Sequence, residues 1–256
     1  VSALTGEGIE ALKKEIIKVS PKDRLEAPII GDLLRPGDTV VLVTPIDTSA
    51  PKGRLILPQV QTIREVLDAD GMAFVTKERE LRRTLESLKT PPRMVVTDSQ
   101  AFLKVAADTP REIPLTSFSI LFARYKGDLL ALAQGAKAIM DLHAGDKVLI
   151  AESCTHHKQA DDIGTVKIPR WLRQYVGGPL QIDHAHGGDF PENLSEYKLV
   201  IHCGGCMTNR QAMLSRIFHA QEAGVPITNY GVAIAFLQGI FPRALEPFPE
   251  IHALFA

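Results

Sequence analysis

Residues 147–154 read KVLIAESC, and residues 199–206 read LVIHCGGC. Each stretch begins as a short apolar run, which predicts a buried strand, and each ends in cysteine. Because strands alternate with helical patterns in this part of the chain, the two strands are expected to be parallel members of one sheet. The carboxyl ends of parallel strands meet at one edge of a sheet, so we expect the two cysteine motifs to converge there.

The same alternation extends over most of the chain. It predicts strands at 39–46, 72–76, 93–97, 114–117, 147–151, 180–183, 198–202 and 226–229, with helices between them and one long helix at 119–142. The predicted fold class is therefore α/β, with two consecutive small parallel-sheet domains and flanking helices. The expected organisation is a helix in 1–20, a linker rich in proline and glycine in 21–38, a first α/β domain in 39–118 and a second in 119–256.

Composition narrows the possible functions of the 256-residue chain. The formal net charge is -1, so no basic surface for nucleic acid or an anionic membrane is expected. The sequence contains no apolar run long enough to cross a bilayer. No secretory leader opens the sequence, and an odd set of three cysteines fits a reducing compartment. We therefore expect a soluble, cytoplasmic protein.

All three cysteines lie beside histidines, in the motifs C-x-H and H-C-x-x-C. The residues are Cys154, His156, His202, Cys203 and Cys206. This composition predicts a metal site, in which the two glycines between the last cysteines permit a tight turn. We expect a helix to begin at Cys206 and its positive end to favour thiolate. A Cys₃His zinc site, an iron–sulfur cluster and a redox C-x-x-C motif all fit these residues.

The spacing of these motifs resembles the cluster-binding signature of the [FeFe]-hydrogenase maturation factor HydF family. Residues 1–9, VSALTGEGI, also resemble the last guanine-recognition motif of small GTPases, followed by the closing helix of such a domain. The resemblance therefore implies that 1–20 is the remnant of a GTPase domain. The sequence contains no G-x-x-x-x-G-K-[ST] loop, so this chain is expected not to hydrolyse GTP, which would bind only the intact protein.

The resemblance also implies a cofactor and a set of ligands. Cys154, Cys203 and Cys206 would hold a [4Fe-4S] cluster that has one exchangeable position, and His156 and His202 would belong to its binding site. Candidates for the fourth ligand are His156, His202, Asp161 and Asp162. A second histidine pair, His184 and His186, is predicted to lie in a polar loop after a strand.

The implied function is that of a scaffold rather than an enzyme. Members of the family hold a di-iron precursor that carries carbon monoxide and cyanide and transfer it to apo-[FeFe]-hydrogenase. The expected partners are that hydrogenase, the radical-SAM maturases HydE and HydG, and a second copy of this chain bound through 39–118. Two other functions fit the residues: a zinc-stabilised interaction domain, and an iron–sulfur dehydratase or redox enzyme that uses an open iron as a Lewis acid.

Overall fold

The computed structural model describes residues 1–19, 27–46, 54–153, 161–187, 190–191 and 193–255. The elements up to the middle of the chain are α1 (Ile9–Val19), β1 (Thr39–Val43), α2 (Leu57–Asp68), β2 (Met72–Thr76), α3 (Leu81–Ser87), β3 (Met94–Thr97), α4 (Phe102–Asp108), β4 (Leu115–Ser117), α5 (Phe118–Lys126) and α6 (Leu129–Lys137). They are followed by β5 (Lys147–Glu152), α7 (Ile168–Val176), β6 (Gln181–His186), β7 (Leu199–His202), α8 (Arg210–Glu222), β8 (Ile227–Asn229), α9 (Tyr230–Leu237), α10 (Phe241–Leu245) and α11 (Pro249–His252). One π-helical turn, Ile163–Lys167, leads into α7.

The strands form two parallel sheets with the same strand order. The first four-stranded sheet has the order β2-β1-β3-β4, and the second has the order β6-β5-β7-β8. In the second sheet, Val148 of β5 pairs with Ile182 of β6 and with Leu199 of β7. In each sheet the chain adds one strand on one side of the starting strand and then continues on the other side, which creates a switch point. The predicted α/β class, with two consecutive parallel-sheet domains, is confirmed.

Burial separates the central strands from the edge strands. The described side chains of β3 and β7 are all buried, as is β1 from Val40 to Val43. Continuous apolar runs of this kind suit strands that are covered by helices on both faces. Edge strand β2 instead leaves Met72, Phe74 and Val75 between 42% and 49% exposed. Within the described residues, the first sheet therefore ends in an edge strand that carries exposed apolar side chains.

The two sheets share one hydrophobic core. This core contains Val40 and Leu42 of β1 together with the apolar residues of β5 and β7, and helices α5 and α9 pack between the sheets. The guanidinium of Arg243, at the start of α10, is 8% exposed and donates to the carbonyls of Ala106 and Thr109 at 2.8 Å each. These hydrogen bonds therefore connect α10 to the C-terminal end of α4, beside the first sheet.

The helix predicted over 119–142 is two helices in the structure. α5 ends at Lys126, and α6 begins after Asp128, whose Oδ1 accepts from the N–H of Ala131 at 3.0 Å. Gly127 and Asp128 supply a stop signal followed by an N-cap, and these override the apolar periodicity that runs through both helices. The prediction of one continuous helix was wrong, and the break places the C-terminal end of α5 beside the C-x-x-C loop.

The histidine pair of β6 also differs from its prediction. His184 and His186 lie within β6 rather than in a loop, and pair in register with Ile150 and Glu152 of β5. The polar residues of this edge strand hid its period-2 pattern. In the described part of the chain, no helix combines the length and apolar character needed to cross a bilayer.

Candidate metal centre

The two cysteine motifs follow neighbouring strands at the switch point of the second sheet. β5 and β7 pair directly, and the N–H of Cys203 extends the ladder by donating to the Ala151 carbonyl at 2.8 Å. The N–H of Ser153, one residue beyond β5, donates to the Sγ of Cys203 at 3.2 Å. Residues 154–160 lie outside the described residues, and with them Cys154, His156 and His157.

A tight loop carries the two described cysteines. Cys203 is buried at 9% exposure, Cys206 is half-buried, and both are free thiols. Between them Gly205 adopts φ +59, and a Cβ at this position would lie 2.5 Å from the Cε of Met213. Any other residue at 205 would be strained in its backbone, and the terminal methyl of Met213 would have to move. The expectation that a glycine permits this turn is met at Gly205.

The helix that follows begins later than predicted. α8 starts at Arg210, and the Asn209 Oδ1 caps it by accepting from the N–H of Ala212 at 2.8 Å. The left-handed Gly205 and the turn closed by the N–H of Thr208 onto the Gly205 carbonyl at 2.9 Å separate Cys206 from the helix. The prediction of a helix from Cys206 was wrong, because α8 begins four positions after this cysteine.

Lys126 supplies a cation close to Cys206 instead. Its Nζ donates to the carbonyl oxygen of Cys206 at 2.6 Å. Burial lowers the pKa of Lys126, and the Cys206 thiol opposes that shift. The sequence contained no signal for this contact, because 80 positions separate the two residues.

Beneath the site, Arg216 of α8 joins the ends of three strands. Its Nη1 lies 3.0 Å from the Oγ of Ser153 and 2.6 Å from the Nε2 of His202, and its Nη2 donates to the Gly187 carbonyl at 2.5 Å. Ser153 follows β5, His202 ends β7, and Gly187 follows β6. The spacing of the sequence motifs did not identify Arg216, since its partners lie 14 to 63 positions away.

His202 is enclosed by this network. The side chain has no exposed surface, and its Nδ1 lies 2.6 Å from the Cys203 carbonyl, which can only accept. Nδ1 therefore carries the proton, and Nε2 accepts from Arg216. Burial lowers the pKa of His202 to about 4, the Cys203 carbonyl opposes this shift, and Arg216 adds to it. Both ring nitrogens have protein partners in this arrangement.

A second polar network lies on the other face of the sheet. Glu152, at the end of β5, is 2% exposed, accepts from the hydroxyl of Tyr230 at 3.0 Å and lies 3.1 Å from the Nδ1 of His186. Burial and the neighbouring Glu152 raise the pKa of Tyr230. Gly164 packs tightly on this pair, since a Cβ there would lie 2.1 Å from the Tyr230 hydroxyl oxygen. The His184 ring stacks on that of His186 with a 6.2 Å centroid separation.

The two candidate carboxylates have different surroundings. Asp162 is 9% exposed, and its Oδ1 accepts from the N–H and the hydroxyl of Thr165 at 2.8 and 2.9 Å. The side chain of Asp161 is 71% exposed and lies 3.4 Å from the Nζ of Lys167. Asp162 therefore serves as an N-cap for the following turn, whereas Asp161 stands at the surface.

The donor set suits a soft, anionic metal group. Cys203 and Cys206 provide a chelating pair, the Ser153 N–H already donates to one of these sulfurs, and Lys126 and Arg216 lie close by. Thiolates select zinc, copper(I) or iron–sulfur clusters, and nearby cations favour thiolate. Among the described residues, which exclude Cys154, no group of three or more histidine, cysteine or acidic side chains is placed to hold a metal ion.

Two solved structures resemble the chain distantly. One is a bifunctional 5,10-methylenetetrahydrofolate dehydrogenase/cyclohydrolase from Thermoplasma acidophilum, at 14% identity, 78% coverage of this chain, 72% of that chain and a TM-score of 0.25. Another is the bifunctional enzyme FolD, a methylenetetrahydrofolate dehydrogenase/cyclohydrolase, from Campylobacter jejuni, at 13% identity, 99% and 97% coverage and a TM-score of 0.25. No curated protein matches the chain.

Family models give a specific result. The hydrogen maturase F dimerization domain matches residues 29–127, and the hydrogen maturase F tetramerization domain matches residues 130–247. The first match contains the sheet with the open apolar edge, and the second contains the sheet that carries the cysteine motifs. Together they span most of the chain, which therefore belongs to the hydrogen maturase F (HydF) family of hydrogenase maturation factors.

Proposed function

We propose that this chain is a scaffold that binds a [4Fe-4S] cluster through Cys154, Cys203 and Cys206 and keeps one iron exchangeable. On this cluster it would hold a di-iron precursor and transfer it to apo-[FeFe]-hydrogenase. Membership of the hydrogenase maturation family supports the process, and the thiol-rich edge of the second sheet supports the cofactor.

The observation that carries the proposal is the hydrogen bond from the Ser153 N–H to the Cys203 Sγ at 3.2 Å. Ser153 is bonded covalently to Cys154, so consecutive Cα atoms lie about 3.8 Å apart. The end of β5, which leads into the first cysteine motif, is therefore held against Cys203 of the second motif, although 50 positions separate the bonded residues. A site of three thiols, as proposed, would exceed what a redox C-x-x-C pair requires.

A [4Fe-4S] cluster held by three cysteines supplies one iron whose remaining ligand can exchange. The protein contributes the binding and orientation of that cluster. The Ser153 N–H would donate to a cluster-bound sulfur, and the cations of Lys126 and Arg216 lie close enough to offset part of the negative charge of a bound cluster. His202 has both ring nitrogens engaged, so we assign it an orienting role behind the site.

We infer that Asp161 is the preferred carboxylate for the exchangeable position. Asp162 already caps the following turn with one oxygen, and moving it would leave the N–H of Thr165 without its acceptor. The Asp161 side chain is exposed and forms only a long ion pair with Lys167, among the contacts described for it. A surface ion pair contributes little, so Asp161 can exchange partners at small cost. His156 remains a second candidate.

The proposed partners are a second copy of this chain, apo-[FeFe]-hydrogenase and the maturases HydE and HydG. Self-association is supported by the names of both matching family models. Within 39–118, the surface that fits a second copy is the open edge of β2, with its exposed Met72, Phe74 and Val75. An edge strand with exposed apolar side chains pairs readily with another sheet.

The proposal is tested by anaerobic reconstitution with iron and sulfide, followed by metal analysis and electron paramagnetic resonance. The wild type should bind about four iron and four sulfide per chain, since a cubane contains that number. Cys154→Ala, Cys203→Ala and Cys206→Ala should each lose the cluster. Met140→Ala removes an exposed sulfur elsewhere in the chain and serves as the control, which should keep it.

The same measurements test the candidates for the fourth ligand. His156→Ala, His202→Ala and Asp161→Ala should retain the cluster, and the variant that lacks the fourth ligand should show the largest spectral change. A colourless protein with one zinc per chain would contradict the proposal and support a zinc-stabilised domain. A full cubane in Cys203→Ala would contradict the assignment of the ligands.

A further inference from the structure

The last residue of α5 is bonded to the C-x-x-C loop through three carbonyl groups. The Nζ of Lys126 lies 3.2 Å from the carbonyl oxygen of Gly205, 2.6 Å from that of Cys206 and 2.8 Å from that of Thr208. A lysine ammonium has three N–H donors and no acceptor. Each of the three donors therefore has an acceptor in this loop.

The loop and α5 are also bonded in the opposite direction. The Nη1 of Arg210, the first residue of α8, donates to the carbonyls of Arg124, Tyr125 and Gly127 at 3.1, 2.6 and 3.1 Å. These carbonyls belong to the C-terminal end of α5, where helical carbonyls lack intrahelical partners. Lys126 thus bonds carbonyls of the loop, and Arg210 bonds carbonyls at the end of α5, so the loop between Cys203 and α8 is tied to α5 by two side chains.

Internal bonds alone hold the loop weakly. Within its described backbone, the turn is closed by the N–H of Thr208 onto the Gly205 carbonyl. Gly205 has a left-handed backbone conformation and no side chain that could restrain the loop. The carbonyl of Cys206 is directed at Lys126 at the shortest of the three distances, so the peptide that follows this cysteine takes its orientation from α5.

We propose that Lys126 is a positioning residue of the metal site: it fixes the backbone of the C-x-x-C loop and so the direction of the Cys206 thiol. Lys126 lies within the match to the dimerization domain, whereas the loop lies within the match to the tetramerization domain. The contact therefore connects the first domain to the cysteines of the second. The part that concerns the cluster rests on the function proposed above.

The test uses Lys126→Met, which keeps the length of the side chain and removes its donors, and Lys126→Arg, which restores them. Lys137→Met is the matched control: this lysine ends α6 and donates to a single carbonyl, that of Leu254, at 3.4 Å. In the apo protein, hydrogen–deuterium exchange of 203–209 should accelerate roughly tenfold or more in Lys126→Met, because hydrogen bonds to a charged group are lost. Exchange in β1 and β3 should stay unchanged, and Lys126→Arg should recover part of the protection.

The reconstituted protein provides a second readout. Iron should be extracted by a chelator roughly tenfold faster from Lys126→Met than from wild type or Lys137→Met, with an altered paramagnetic spectrum. If hydrogen exchange of the loop and extraction of iron are as slow in Lys126→Met as in wild type, the inference is overturned. If exchange in Lys126→Met rises throughout the chain, Lys126→Gln is measured next, and uniform exchange there also overturns it. A wild type that assembles no cluster would refute the proposed function, while loop exchange would still decide the role of Lys126.

Discussion

Replacement of Arg216 by methionine should destabilise the edge of the sheet that carries the cysteines. The guanidinium joins the ends of β5, β6 and β7 through Ser153, Gly187 and His202, at 3.0, 2.5 and 2.6 Å. A hydrogen bond to a charged group contributes about 1.5–3 kcal/mol. Methionine keeps an unbranched apolar stem, is shorter than arginine and leaves these three acceptors in place without their donor.

Not all of that energy should be lost. The Ser153 hydroxyl lies 3.1 Å from the Nε2 of His202 and can donate to it, and the half-buried Gly187 carbonyl can bind water. Removal of a largely buried charge also avoids its desolvation cost. About one to two bonds therefore remain uncompensated, which corresponds to a decrease of ~2–4 kcal/mol in the free energy of unfolding.

The assay is urea unfolding of the apo protein under reducing, anaerobic conditions, followed by circular dichroism. Arg216→Lys keeps the charge without the planar fork and should lie between wild type and Arg216→Met. Arg170→Met, on the exposed face of α7, is the control and should change the free energy by less than about 0.5 kcal/mol. A decrease below about 0.5 kcal/mol in Arg216→Met would refute the view that this side chain holds the three strand ends together.

Two further outcomes follow from the geometry. The pKa of His202 is about 4 in the folded chain and 6.5 in the unfolded chain. The neutral ring therefore makes its full contribution to stability above pH 6.5, and this contribution is lost as the pH falls to 4. The difference in pKa corresponds to about 3 kcal/mol. The free energy of unfolding should therefore depend less on pH between 7 and 4 in His202→Gln than in wild type. An equal pH dependence in the two proteins would show that His202 does not cause it. Phe74→Lys on the open edge of β2 should convert dimers to monomers in light scattering, whereas Leu254→Lys, on another exposed apolar residue, should not. If Phe74→Lys remains dimeric, the contact between the two copies does not use the edge of β2.

The central strands and the place of Cys203 directly after β7 were predictable from the sequence. The apolar runs of β5 and β7 are long enough to bury both faces, and the rule that parallel strands present ligands at their carboxyl ends located Cys203. The break between α5 and α6 was also encoded, by Gly127 and Asp128, but the apolar periodicity on either side concealed it. His184 and His186 were assigned to a loop because an edge strand tolerates polar residues on both faces.

The cations of the site were not predictable. Lys126 and Arg216 occupy ordinary positions in helices, and their partners lie up to 82 positions away. Only the packing of α5 and α8 against the sheet brings these side chains to the cysteines. Local patterns identify the donors that a metal requires, whereas the charges that orient them depend on tertiary contacts.

The core that spans both sheets limits how the molecule can be divided. A fragment cut at Gly127 would separate Arg243 from its acceptors at Ala106 and Thr109 and would expose the apolar sides of α5 and α9 to water. Such an excised piece would be prone to aggregate, whatever its metal chemistry. Loss of iron in a truncated fragment would therefore report an unfolded scaffold rather than a missing ligand, and single substitutions in the intact chain are the appropriate way to assign roles.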